Sequence, residues 1–187
     1  MIDNPKFLHL GRAKIAIFRL TGCCAYIQED MSGYYRTAAI EKVTQIEFIF
    51  KWLNQRGISI CLISDYNRID TQHILDRLSW SPKSESSYID AVLIRGNRSA
   101  LLCLREVAQL YGFQNLRSGI CLFDQLVLLE ASWRLESLLT IGLTYGSTPP
   151  RILAQKPHHI LLDSIVELPN FITRKLALSK PIIASSR

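Results

Sequence analysis

Lys14-Ile15-Ala16-Ile17-Phe18-Arg19-Leu20-Thr21-Gly22-Cys23-Cys24 is a short apolar run that ends in polar residues and a glycine. Ile15 to Phe18 carries no alternating polar residue, which is the pattern of a strand covered on both faces. Gly22 predicts a tight loop just beyond its carboxyl end. Similar runs recur at Ile58 to Ile63, Ala91 to Ile94, Ile120 to Phe123, Leu139 to Leu143 and Ile160 to Leu162. Helical patterns separate them, so the expected fold class is α/β: a three-layer, Rossmann-like sandwich around a central parallel sheet.

The intervening segments supply the helices. Tyr35 to Arg56 reads as one long amphipathic helix, with Ile40, Val43, Ile46, Ile49, Phe50 and Leu53 on one face and Gly57 closing it. A second helix is expected after Asp70-Thr71, where either side chain could cap it, burying Ile74, Leu75 and Leu78. A third spans Ala100 to Tyr111, and a fourth spans Leu126 to Ser137 with Leu129 and Trp133 for packing. Ser79 to Ser87, Thr148-Pro149-Pro150 and Thr173 to Arg187 read as irregular. The organisation expected is an N-terminal segment at 1–13, one core domain at 14–171 and a C-terminal tail at 172–187.

Composition narrows the function classes. The chain has 187 residues of which 48% are hydrophobic, enough for one well-packed core and short for two. Its formal charge of +6 is spread from Lys6 to Arg187, with no basic run interleaved with aromatics, which argues against a nucleic-acid partner. Five cysteines form no C-x-x-C pair, and Cys61, Cys103 and Cys121 lie in apolar runs; reduced core thiols in a cytoplasmic protein are expected. No signal segment is present, and no apolar stretch approaches the ~20 residues of a membrane helix, so neither export nor membrane insertion is expected.

In position and surroundings the first strand and its glycine loop resemble the first motif of the haloacid dehalogenase-like (HAD) phosphohydrolases. From Ile58 to about Phe171 the chain is similar to the phosphonatase-like branch of that superfamily. Ile58-Ser59-Ile60-Cys61-Leu62-Ile63-Ser64 matches the second motif, whose Ser or Thr holds a phosphoryl oxygen, and Asp65-Tyr66-Asn67-Arg68 followed by Leu78-Ser79-Trp80 continues it. Arg98-Ser99-Ala100-Leu101 matches the third motif, which makes Arg98 the phosphate-neutralising cation. Leu122-Phe123-Asp124 through Leu128 to Glu130-Ala131 matches the fourth, where Asp124 keeps the first magnesium-binding acid and Leu128 stands in the place of the second.

The resemblance implies where chemistry is missing. The superfamily's nucleophilic aspartate, its general-acid aspartate and the Gly-Thr after them correspond here to Arg19, Thr21, Gly22 and Cys23. A guanidinium stays protonated and has no lone pair with which to attack phosphorus. Thr21 is too weak an acid to protonate a leaving group. Cys23 and Cys24 lack the neighbours of a cysteine phosphatase, and His158-His159 has no matching metal ligands. With magnesium's ligand acids depleted, no cofactor is expected, and Mg²⁺ binding should be lost. Arg19 should fill the vacated ion position and pair with Asp124, leaving Gly22, Ser64 and Arg98 as a vestigial phosphate site able to hold a phosphate-like anion.

The segment between the first two motifs is too short for the branch's helical cap, so the cap should be absent or minimal, with Tyr26, Tyr34 and Tyr35 on an exposed rim. An uncapped pocket suits a protein partner or a second copy of the chain. The reading is therefore a catalytically degenerate HAD-like homologue used for binding or assembly. Its alternatives are a weak or altered phosphohydrolase using Asp124, Ser64 and Arg98, and a structural subunit of a larger complex with a vestigial pocket.

Overall fold

A computed structural model describes residues 12–28, 39–82 and 87–177. Six parallel strands form the central sheet: β1 (Ile15–Arg19), β4 (Ser59–Ser64), β5 (Ala91–Ile94), β6 (Gly119–Phe123), β7 (Leu139–Leu143) and β8 (Ile160–Leu162), in spatial order β5-β4-β1-β6-β7-β8. β1 lies at its centre, Ile17 registering with Cys61 on one side and Cys121 on the other. A separate antiparallel pair, β2 (Ala25–Ile27) and β3 (Ile40–Lys42), leaves the chain just after β1.

The strand period of two sorts β1 between two cores. Ala16 and Phe18 join Ile60, Leu62 and Leu122 under α1 (Ile46–Asn54), α2 (Arg68–Leu78) and α6 (Leu168–Ala177). Ile15 and Ile17 join Cys61, Ile63, Cys121 and Phe123 under α3 (Ala100–Leu110), α4 (Leu126–Arg134) and the short α5 (Pro150–Leu153). Phe50 stands edge-on to both Phe18 and Trp80, at 5.5 and 5.4 Å between ring centroids, which ties α1 to the sheet. The Trp80 indole N–H then donates to Glu47 at 2.9 Å, while Lys42 of β3 pairs with the same carboxylate at 2.6 Å. These bonds fix the hairpin against α1.

Strand order reverses beside β1, since the chain fills one side of the sheet through β4 and β5 and then the other through β6, β7 and β8. The crevice beyond the carboxyl ends of β1 and β6 is thus the switch point at which open α/β sheets bind ligands.

Several expectations need correction. Tyr35 to Arg56 is not one helix: Ile40–Lys42 is a strand, helix begins only at Ile46, and residues 35–38 lie outside the described residues. Backbone pairing wins there, with Gln28 N donating to Ala39 O and Val43 N to Cys24 O, and Gln45 at φ 62° separates strand from helix. Of the expected rim, Tyr26 is 41% exposed, and Tyr34 and Tyr35 lie outside the described residues. The side chain of Asn67, not of Asp70 or Thr71, caps α2 by accepting from Asp70 N at 2.9 Å. Trp133 is 43% exposed and rests on the His159 ring instead of entering the core. Pro150 opens α5, where a proline costs nothing at the first helical position. α6 runs through the expected boundary at 171/172 with Ile172 buried, while 178–187 lie outside the described residues.

Candidate functional site at the carboxyl edge of the sheet

Four adjacent strands each deliver one charged residue at their carboxyl ends: Arg95 after β5, Asp65 after β4, Arg19 ending β1 and Asp124 after β6. Because the spatial order is β5-β4-β1-β6, the charges alternate in sign across the edge. Arg95 Nε donates to Asp65 Oδ1 at 2.6 Å, and Arg19 Nε donates to Asp65 Oδ2 at 2.6 Å. Arg19 Nη1 then reaches Asp124 at 3.2 Å to Oδ1 and 3.1 Å to Oδ2. The Gln125 amide, assigned with its oxygen toward Arg19, accepts from Nη2 at 3.0 Å.

Asp124 is fully buried and its shell is dense. Ser147 donates its backbone N–H and its hydroxyl to Oδ2 at 2.8 and 2.7 Å, and the Cys23 thiol donates to Oδ1 at 3.3 Å. Two glycines make this closeness possible. A Cβ on Gly22 would lie 2.3 Å from Asp124 Oδ2, and one on Gly146 would lie 2.2 Å from Asp124 Cβ. Tyr145 closes the cluster by donating its hydroxyl to Cys23 O at 3.0 Å. Burial opposes the Arg19 charge, but Asp124 and Asp65 outweigh it and raise its pKa above the ordinary value. The Cys23 thiol is pushed well up, first by burial and then by the Asp124 charge, and Cys24 shifts the same way for the same reasons. Both sulfurs therefore stay protonated and unreactive.

The residues singled out in the sequence separate into three groups. Arg19, Gly22, Cys23 and Asp124 come together. Thr21 lies in the same loop, but its hydroxyl oxygen is buried with no hydrogen-bond partner. Ser64, Arg98 and Leu128 do something else. Ser64 is buried, its hydroxyl shared with Thr71 at 2.7 Å and accepting from Tyr66 N at 3.2 Å. Arg98 pairs with Glu106 and donates to the carbonyls of Ile94 and Arg95, so the cation in the ladder is Arg95. Leu128 is fully buried in the core beneath α4, where an acid would face apolar side chains. Sequence reading missed Asp65, Arg95 and Ser147. The signal for the first two was available: each is the residue directly after a strand, at the edge where ligands bind.

No known family model matches the chain, and no curated protein matches it in sequence. Solved structures do resemble it. The cobalt-bound deoxy-D-mannose-octulosonate 8-phosphate phosphatase of Haemophilus influenzae superposes with a TM-score of 0.65 at 12% identity, covering 90% of this chain and 91% of that one. The 3-deoxy-D-manno-octulosonate 8-phosphate phosphatase of Moraxella catarrhalis, in complex with magnesium, phosphate and KDO, gives 0.63 at 16% identity and 90% of both chains. A haloacid dehalogenase-like family hydrolase from Streptococcus pneumoniae gives 0.68 at 8% identity, covering 86% and 99%. The chain has the HAD-like, Rossmann-type α/β fold.

Two of those structures hold a divalent metal, which conflicts with the expectation of no cofactor and lost Mg²⁺ binding in this chain. In this chain the nearest carboxylates, Asp65 and Asp124, have all four oxygens accepting from a guanidinium. A divalent ion requires several oxygen ligands of net negative charge. The residues as arranged do not fit one while Arg19 is in place. Among the described residues no helix is long and apolar enough to cross a membrane.

Proposed function

We propose that the chain is a degenerate homologue from the phosphonatase-like branch of the HAD superfamily, and that it binds a phosphate-type anion, alone or within a protein assembly, without hydrolysing it. One observation carries the reading: Arg19 occupies the end of β1, ion-paired to Asp124 and Asp65. The group at this point is a permanent cation that can hold a phosphoryl oxygen but cannot attack phosphorus. Neither Cys23, buried with its thiol pushed up, nor Ser64, whose hydroxyl is buried against Thr71, supplies the missing nucleophile. A reducing, cytoplasmic setting suits the five cysteines, all free and buried. The working unit is the core from residue 14 onward, with α6 closing it.

A second reading is favoured by the neighbours, which are described as phosphatases: a weak or altered phosphohydrolase. Its cation would be Arg95 in place of Arg98. Phosphate release from a panel of phosphate monoesters, measured with and without magnesium, separates the two. The first reading expects no release above background from the parent chain. Turnover by the parent that disappears in Arg95→Gln would overturn it and establish the second.

A further inference from the structure

Asp65 and Asp124 both contact Arg19, yet they are held in opposite ways. Asp124 is fully buried and accepts from Arg19, Ser147 and Cys23, so it has no route out. The Asp65 side chain is 22% exposed, and its oxygens accept only one Nε each, from Arg19 and from Arg95. The backbone around it is anchored separately, because Ser64 bonds to Thr71 and to Tyr66 N, and Asn67 caps α2. The carboxylate can therefore turn outward without unfolding the segment that carries it. Arg95, 19% exposed, spends only its Nε, and among the described residues neither of its Nη groups has a hydrogen-bond partner. Two guanidiniums converging on one carboxylate at the solvent edge, one with unused donors, form an anion site filled by the protein's own side chain.

We propose that Asp65 is a built-in competitor: it occupies the space between Arg19 and Arg95, and a dianionic phosphate group binds there only by displacing it. This rests on the anion-binding part of the function proposed above. A phosphate monoester brings up to two charges and three terminal oxygens against one charge and two oxygens, and it can engage the two Nε groups and the idle Nη groups of Arg95 together. A monovalent carboxylate ligand has no such advantage over Asp65. The device sets a threshold, so that only ligands richer in charge than a carboxylate enter.

Phosphate affinity measured by calorimetry on the intact chain and on Asp65→Asn, a variant that keeps the side chain's size and removes its charge, tests this. If the site is open in the parent no more than one molecule in ten, Asp65→Asn binds inorganic phosphate about tenfold tighter or better, and adding Arg95→Gln abolishes the gain. Equal or weaker binding by Asp65→Asn overturns the competitor role while the anion-binding reading stands. No phosphate heat from either chain up to saturating concentration sinks the anion-binding reading itself, and the competitor with it. Should Asp65→Asn fail to fold, crystals of the parent grown in concentrated phosphate decide: phosphate on Arg19 and Arg95 with Asp65 turned away supports the proposal, and Asp65 still between them overturns it.

Discussion

Two polar clusters lie at opposite ends of the same sheet and are built on different principles. At the carboxyl edge, Arg95, Asp65, Arg19 and Asp124 form a ladder of full charges gathered from four strands. Toward the amino end of β7, Ser132, Ser137 and Thr140 form a neutral hydroxyl network: Ser137 lies 2.6 Å and Ser132 3.2 Å from Thr140 Oγ1, and Thr140 N donates to His159 Nδ1 at 2.9 Å. In the neutral cluster three partners fall within nine residues of sequence, and each loses little when a neighbour goes. The charged cluster joins positions as far as 105 residues apart, and each member depends on the next for its solvation. Charge makes the first cluster expensive to break; neutrality makes the second forgiving.

Asp124→Ala should show the largest effect, because it leaves the Arg19 guanidinium facing a cavity and takes away the acceptor for Ser147. A loss of about 3 kcal/mol in urea unfolding is expected. Arg19→Met combined with Asp124→Asn should cost less than the two single changes added together, since neither charge is then stranded. A loss below about 1 kcal/mol for Asp124→Ala would break the contrast and show that the ladder is solvated like any surface pair.

The next effect is steric. Gly146→Ala puts a methyl group against Asp124 and should cost about 2 kcal/mol in the same unfolding measurement. Its insensitivity to salt, beside a salt-sensitive Asp124→Ala, would separate crowding from charge.

Ser137→Ala is the smallest of the three, at about 1 kcal/mol, because Ser132 remains as a partner for Thr140. A thermal shift for Ser137→Ala as large as that for Asp124→Ala would erase the distinction between the clusters.

The core was legible in the sequence because strands covered on both faces must be apolar throughout, and all six such runs became neighbours in one sheet. The hairpin was not. Ile40, Val43 and Ile46 satisfy a helical period, but Ile40 belongs to a strand paired with Ile27 and Ile46 to a helix, a division fixed by contacts with the segment after β1. The third-motif cation shows the same limit at a single residue. Alignment pointed to Arg98, whereas the residue next to the end of β5 is Arg95, and a strand's carboxyl end, not a motif match, aims a side chain at the site. Leu128 was read as a vacated ligand place and is an ordinary core residue.

By itself the sequence determined an α/β sandwich with an arginine at the end of its first strand, since apolar pattern and residue identity are local properties of the chain. Only the tertiary structure decided what that arginine does. Its partners, Asp65 and Asp124, adjoin it because crossover connections place β4 and β6 on either side of β1, an arrangement no local pattern encodes. Once those strands are side by side, burial forces every charge to find its opposite, and the alternation Arg95, Asp65, Arg19, Asp124 follows.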